Sequence, residues 1–421
     1  MRRALLTGSA ATAVVVGTLT PALAQTDERR CSPTRENVPV CSTDGSVATA
    51  TFLDPTVTVT GARHVGLGQR GYVGPFAELH ATRHAPISVG ASSNVQDNVL
   101  LDARGGSGIR VGDRVILAHG SSVRGSASVG IESSPLPPQV AGTVDTLEGS
   151  VFLSFGSEVD GATVEIDSGV SALARVAPGV TLPSGFLVLP GKNVTTDAEA
   201  SDPALGKVRY LTQADVAFNE AVIHVNESLA RAYTELYRED PGAVHGVNLD
   251  PGHTEFNPDA DLPSFAGDEQ ARPDSRNRVI GDVDLADTYD RFTQRTGERI
   301  AIRADEGEPF VVGHVDEMDD DVVFHALEHT DVHVGDDVRY GEGAIVHGGG
   351  RVVVEGQPEE QTVVGDRVRL GDGSVVFRST IGDGARIGDR SGVVGTDLPA
   401  GTVVPPDTIV LNGEVFGAVE W

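Results

Sequence analysis

The chain has 421 residues, enough for two ordinary domains with a core in each, and its two cysteines are too few for disulfides to be its main support. A formal charge of −29, from 61 acidic and 32 basic residues, argues against nucleic acid or an anionic membrane as a partner. Lys192 and Lys207 are the only lysines, and so acidic a surface points to a halophilic setting in which salt screens its self-repulsion.

Residues 1–24 have the pattern of an export signal. Arg2 and Arg3 precede an apolar run from Ala10 through Val16 to Leu23, and Ala22-Leu23-Ala24 is a small-residue cleavage site. The paired arginines resemble a twin-arginine signal, so the mature protein is expected to be secreted or at the cell surface. No later apolar segment reaches membrane-spanning length. Residues 25–47 are polar and hold Cys31 and Cys41, which in an oxidising compartment are expected to form one small disulfide loop. Two thiols with no nearby histidine make a poor metal site.

From residue 48 the chain becomes short β-branched runs punctuated by glycine: TVTVTGARHVGLG, then ISVGASSNVQDNVLLDA, then IRVGDRVILAHGSSVRG. An apolar residue recurring with glycine about every six positions predicts a hexapeptide β-helix, in which inward aliphatic side chains stack from coil to coil. A β-sandwich, the alternative, spaces its turns more widely. A stretch rich in Ser, Pro and Gly from Glu132 to Thr146 interrupts the period and is expected to protrude as a loop. After the repeats resume, Ala221, Val222, Val225, Leu229, Ala232, Tyr233 and Leu236 recur at steps of three and four, predicting an amphipathic helix packed along the coil. This first unit spans 48–238. Residues 239–275, dense in Pro, Gly, Asp and Asn, are a linker and lead-in. A second repeat unit, 276–421, starts near RVIGDVDL and ends without a second long helix.

The stretch from Arg303 to His347 packs two histidines, several carboxylates and an arginine into strand-like segments. The order Arg303, Asp305, Glu306, His325, Glu328, His347 resembles the active-site half of gamma-class carbonic anhydrases, and residues from about Gly90 to Glu235 resemble the same family with different residues kept. The resemblance implies a mainly β fold of two tandem left-handed parallel β-helices, the first followed by a long packed α-helix. It also implies a zinc (or iron) site shared between neighbouring units, two histidines from one and a third from the next.

The first copy reads QDNVLLDA and LAHGSSVRG, keeping Gln96, Asp97 and His119 but having Asp102 and Arg124 where the family has its other ligands. The second reads DDDVVFHALE and YGEGAIVHG, keeping His325 and His347 but having Glu342 at the neighbour-facing position. If the copies pack as family neighbours do, His119, His325 and His347 complete one three-histidine site. Three neutral imidazoles leave zinc strongly Lewis acidic, lowering the pKa of bound water to about 7 and making hydroxide available for attack on carbon dioxide. The resemblance further implies that Arg303 and Asp305 form an ion pair near the site, that Glu306 and Glu328 relay protons, and that Asn226 and Gln96 lie near the substrate. His224 stands where the family has a tyrosine, and Asp319-Asp320 where it has Gln-Asp. Glu342 from a neighbouring chain is the alternative third ligand, a two-histidine, one-carboxylate set that also suits iron. His314, His329 and His333 read as exposed loop residues.

The leading expectation is a secreted zinc enzyme for the reversible hydration of carbon dioxide to bicarbonate. Two-domain chains do not close evenly into a ring of three domains, and one solution is a trimer-like ring of both copies plus a separately encoded gamma-type subunit. A non-catalytic assembly protein with a decayed site is the first alternative. A hexapeptide acyltransferase, which shares the fold, is the second.

Overall fold

The computed structural model describes residues 31–32, 39–144, 147–252, 260–274, 276–306, 308–328, 330–349 and 361–421. The export pattern and His329 lie outside them. The protein is mainly β, with two tandem left-handed β-helices of short parallel strands separated by one long α-helix. Each β-helix is a three-sided coil. The first carries sheets of nine, six and seven strands, and the second carries sheets of nine, eight and five.

Aliphatic residues stacked in register build both cores. On one side of the first coil Val73, Val95, Leu117, Leu153, Val170 and Val188 are successive ladder partners. Ile302, Phe324, Val346, Val376, Val393 and Val410 do the same in the second. Each rung removes a side chain from water while the parallel ladder satisfies the backbone, so the repeats stabilise only by stacking on one another. Corners are closed by carboxylates that accept a backbone N–H of the neighbouring coil: Asp113 from Ala91 at 2.7 Å, Asp320 from Glu298 at 2.8 Å and Asp336 from His314 at 2.8 Å. Part of the acidity read as solvated surface is therefore structural.

Of the stretch from Glu132 to Thr146, expected to protrude, the described part as far as Val144 folds back instead. Its helix Pro138–Ala141 buries Val140, which packs with Val144 and Leu136 against Leu211 and Val216, because these aliphatic side chains are better covered than exposed. Further on, Val247–Asn248 and Ser264–Phe265 pair with Arg278–Gly281 and Val283–Leu285, so the second coil begins within the lead-in.

The predicted amphipathic helix is Gln213–Glu239. Thr212 and Asp215 form a reciprocal capping box at its start, satisfying two otherwise orphaned N–H groups. Its apolar face touches both coils: Val225, Leu229 and Tyr233 pack with Phe52 and Tyr72 of the first and Ile280 of the second. Beside it the β-helices meet directly, Phe76, Ala118 and Phe155 against Val323, Ile345 and Val375. The hairpin Thr408–Leu411 and Glu414–Ala418 closes the far end of this seam. There Trp421 donates its indole N–H to Leu173 O at 2.8 Å, and Glu420 pairs with both lysines, Lys192 at 2.9 Å and Lys207 at 3.3 Å.

The tight coil spacing makes a direct prediction. A Cβ at Gly112 would lie 1.8 Å from Gly130 O, whereas one at Gly105 would meet nothing within 4 Å. Gly112→Ala should lower stability by at least ~2 kcal/mol in urea unfolding, and Gly105→Ala should stay near wild type. Equal effects at the two positions would contradict the stacking account.

Candidate metal centre

One register column of the second coil carries the site. Arg303 on strand Ala301–Ala304, His325 on Val323–Ala326, His347 on Ile345–Gly348 and Phe377 on Val375–Phe377 are consecutive ladder partners. The first coil answers with Asp97 and His119, each two residues past a paired core residue, Val95 and Leu117. All of these except Phe377 are buried. Packing the coils against each other brings the two sets together.

His119, His325 and His347 converge, one nitrogen from each lying within 4.8 Å of the others. His119 Nε2 is 3.2 Å from His325 Nδ1, which is 3.2 Å from His347 Nε2. The other nitrogen of each ring faces an oxygen. His119 Nδ1 is 3.1 Å from Asp97, His325 Nε2 is 2.8 Å from Glu306 and 3.5 Å from Asp305, and His347 Nδ1 is 2.6 Å from Gly348 O. Facing oxygens that can only accept favour ring protons on the outward nitrogens, the His347 contact being the one with hydrogen-bond geometry. Three lone pairs are then left pointing inward at one another.

That arrangement repels itself unless a positive charge lies among the lone pairs. A single proton on His325 would relieve part of the repulsion; a divalent cation would satisfy all three. The 3.2 Å spacings are close to the ~3.3 Å edge of a tetrahedron built on metal–nitrogen bonds of about 2.0 Å, so the three residues fit zinc or iron. Proton affinity follows the same geometry. Burial pushes the pKa of His119 down to about 4 against the pull of Asp97, and burial followed by the charge of His325 drives His347 well below the usual range. For His325, burial and Arg303 act downward, but Glu306 and Asp305 outweigh them and raise its pKa. Phe155 and Phe377 wall the cluster, their rings 4.7 Å and 5.4 Å from that of His347.

Beneath the histidines lies a buried ionic bridge between the coils. Arg303 donates from Nε to Asp97 at 3.0 Å and from Nη1 to both oxygens of Asp305 at 2.8 and 2.6 Å. The Tyr233 hydroxyl donates to Asp305 from the long helix, and the Tyr72 ring lies 5.5 Å from the guanidinium carbon. Burial would raise both carboxyl pKa values, but Arg303 overrides it and holds Asp97 and Asp305 below the ordinary carboxylate range. His119 assists at Asp97, and His325 and then Tyr233 at Asp305.

The other expected residues separate into two groups. Glu306 is buried, with Oε1 on His325 and Oε2 without a hydrogen-bond partner. Glu328 is half-buried two residues past the strand that carries His325. Asn226 is buried but donates to Val222 O at 2.8 Å within its own helix, and no described hydrogen bond joins the Gln96 side chain to the cluster. Glu342 and His224 are exposed, and Glu342 stands outside the cluster within this chain. Asp102 and Arg124 pair elsewhere, with Arg104 at 2.8 Å and Glu158 at 3.4 Å. Cys31 and Cys41 are bonded to each other. His314, read as an exposed loop residue, pairs with Asp287 at 2.7 Å. Sequence reading passed over Tyr72, Phe155 and Phe377, and took Tyr233 as plain helix apolar surface. Its position seven residues, or two turns, after Asn226 was the available signal that it shares that face.

The fold and the centre together define a hexapeptide-repeat protein with a three-histidine cluster assembled from two β-helices. The chain is 32% identical over 206 residues to the carbonic anhydrase of Methanosarcina thermophila, covering 44% of this chain and 72% of that protein. It belongs, as a distant member, to the gamma-class carbonic anhydrase and hexapeptide-repeat family. It is also 32% identical over 123 residues to the carboxysome assembly protein CcmM of a Nostoc species, covering 27% of this chain and 20% of that one. A hexapeptide transferase family protein from Anaplasma phagocytophilum aligns over 44% of this chain and 93% of its own, with 19% identity and a TM-score of 0.31. No family model matches the chain.

The ionic bridge supplies a test. Arg303→Leu would strand two buried carboxylates and should destabilise the protein by about 3–5 kcal/mol at neutral pH. Because the folded pKa values of Asp97 and Asp305 are depressed, their contribution in the wild type is complete above about pH 4 and is lost as pH falls through the folded values. Protonation relieves the variant instead, so the gap in urea midpoints should narrow on acidification. A gap that widens would show that Arg303 is not their counter-charge.

Proposed function

We propose that the protein is a metal-dependent carbonic anhydrase, catalysing reversible hydration of carbon dioxide at a centre shared by its two β-helices. The observation that carries this reading is the convergence of His119 from the first coil with His325 and His347 from the second. Family membership supplies the reaction class. In this reading the three inward nitrogens would hold zinc, or alternatively iron, which would supply a Lewis acid able to lower the pKa of water to about 7.

The chain's own residues account for the rest. Asp97, Glu306 and the carbonyl of Gly348 keep the ring protons on the outward nitrogens, leaving the inward lone pairs free to bind metal. Glu306 takes protons away from the site, supported by its buried, unpartnered Oε2, and Glu328, half-buried near the His325 strand, passes them on toward solvent. Arg303 fixes Asp97 and Asp305, and so fixes the histidines that lean on them. Phe155 and Phe377 provide an apolar wall suited to an uncharged substrate. Export belongs to the same proposal and is supported by the N-terminal pattern and the Cys31–Cys41 disulfide. A trimer-like ring completed by another gamma-type subunit is the assembly we propose. Gln96 and Asn226 are proposed to border the substrate.

Similarity to a protein named for carboxysome assembly favours a second reading, an assembly module without turnover. Elemental analysis of the protein purified in high salt, wild type beside His119→Ala, separates the two. We expect about one ion per chain in the wild type, little in the variant, and carbon dioxide hydration only in the former. Metal in both would move the centre to His325, His347 and a neighbour's Glu342. Folded wild-type protein that takes up no supplied metal would favour the assembly module.

A further inference from the structure

Two arginines are fully buried and a third, Arg378, is half-buried, and they are not treated alike. Arg278 is fully buried and donates to Asp54 at 2.9 Å, and Arg303 has Asp97 and Asp305. Among the described residues Arg378 has no carboxylate partner. Its Nε is buried without an acceptor, and no ion pair or side-chain hydrogen bond of its guanidinium occurs among the described residues. Two phenyl rings hold it instead, Phe377 at 4.5 Å and Phe218 of the long helix at 5.4 Å.

The chain carries 61 acidic residues against 32 basic ones, so a missing counter-ion is not a matter of supply. Burying an unpaired charge is unfavourable, and cation–π contacts recover only part of the loss. Arg378 also sits beside the candidate centre. It directly follows Phe377, the ladder partner of His347, so a single phenyl ring stands between the guanidinium and the imidazole. Gly349 closes over it from the His347 strand: a Cβ there would be 2.8 Å from the Phe377 ring and 3.2 Å from Arg378 Nε. The side chain is thus clamped between the second coil and the long helix with its fork of donors unspent.

We propose that Arg378 forms an anion subsite beside the three-histidine cluster, taking a small planar oxyanion of the bicarbonate type through paired N–H donors. A guanidinium is matched to such an anion by shape as well as charge, and although burial lowers the Arg378 pKa to about 10 it stays protonated at neutral pH. The choice of bicarbonate rests on the carbonic anhydrase reading, in which that anion must reach or leave this centre. The subsite itself rests only on the clamped, unpaired guanidinium.

The test is nitrate and bicarbonate binding to the full chain as purified, by isothermal titration calorimetry at fixed pH and ionic strength and low chloride. Nitrate is planar, singly charged and does not titrate. Arg378→Met should reduce the affinity for both roughly tenfold. Arg378→Lys should keep part of it. Arg378→Met should also unfold no earlier than wild type, because it removes an unpaired, half-buried charge, and nitrate should raise the melting temperature of wild type but not of Arg378→Met. Equal binding by wild type and Arg378→Met would overturn the inference, as would loss of stability in Arg378→Met with no anion effect in either protein. Binding is read without turnover. A protein that holds nitrate through Arg378 but hydrates no carbon dioxide would keep the subsite and lose the carbonic anhydrase reading.

Discussion

Arg303 is the constraint on which the site depends. A guanidinium with almost no exposure is acceptable only with its charge answered, and the two carboxylates that answer it come from different coils, Asp97 from the first and Asp305 from the second. Separating the coils would take Asp97 from Arg303 and leave the guanidinium with Asp305 alone, so the bridge resists sliding as well as separation. Both carboxylates also reach histidines, Asp97 touching His119 and Asp305 lying near His325. The interaction that holds the coils in register therefore also aims the imidazoles.

Around that bridge the apolar contacts are less directional. The seam of Phe76, Ala118 and Phe155 against Val323, Ile345 and Val375 supplies burial, and the long helix extends it by packing on both coils. Burial alone would tolerate a shift of one rung along either helix. The polar groups do not, because each coil repeat moves a side chain by a full strand spacing, farther than a hydrogen bond can stretch. Asn98 makes the same point at the edge of the seam, donating from Nδ2 to Asp321 O across the two coils at 2.7 Å. At the far end the two lysines of the chain meet Glu420, so the C-terminal hairpin clasps the first coil electrostatically.

Dividing the three histidines between two halves of one chain has a physical consequence. Among the described residues neither coil holds three converging ligand nitrogens by itself, so this centre exists only when the halves are docked, and any ion bound there would add to the docking energy. In a single chain the second half is always at high effective concentration, and the match of Asp97 and His119 with Arg303 and His325 does not depend on finding a partner in solution.

Much of this architecture was legible in the sequence. The six-residue recurrence of aliphatic residues with glycine dictates a stacked coil, because three such segments complete one turn and each points its aliphatic side chain inward. The steps of three and four across Val222, Val225, Leu229 and Tyr233 dictate a helix with one apolar face. The histidines His119, His325 and His347 could be singled out from their flanking motifs. Local pattern could not show that Val140 and Val144 would fold the Ser- and Pro-rich stretch back onto the core, nor that the Tyr233 hydroxyl would end on Asp305, nor that Arg378 would be clamped without a counter-ion. Those outcomes depend on which surfaces meet when two coils dock. Periodicity records how a residue repeats within its own coil; the docking of one coil on the other, decided by shape and by the pairing of buried charge, determines which residue of the other coil it faces.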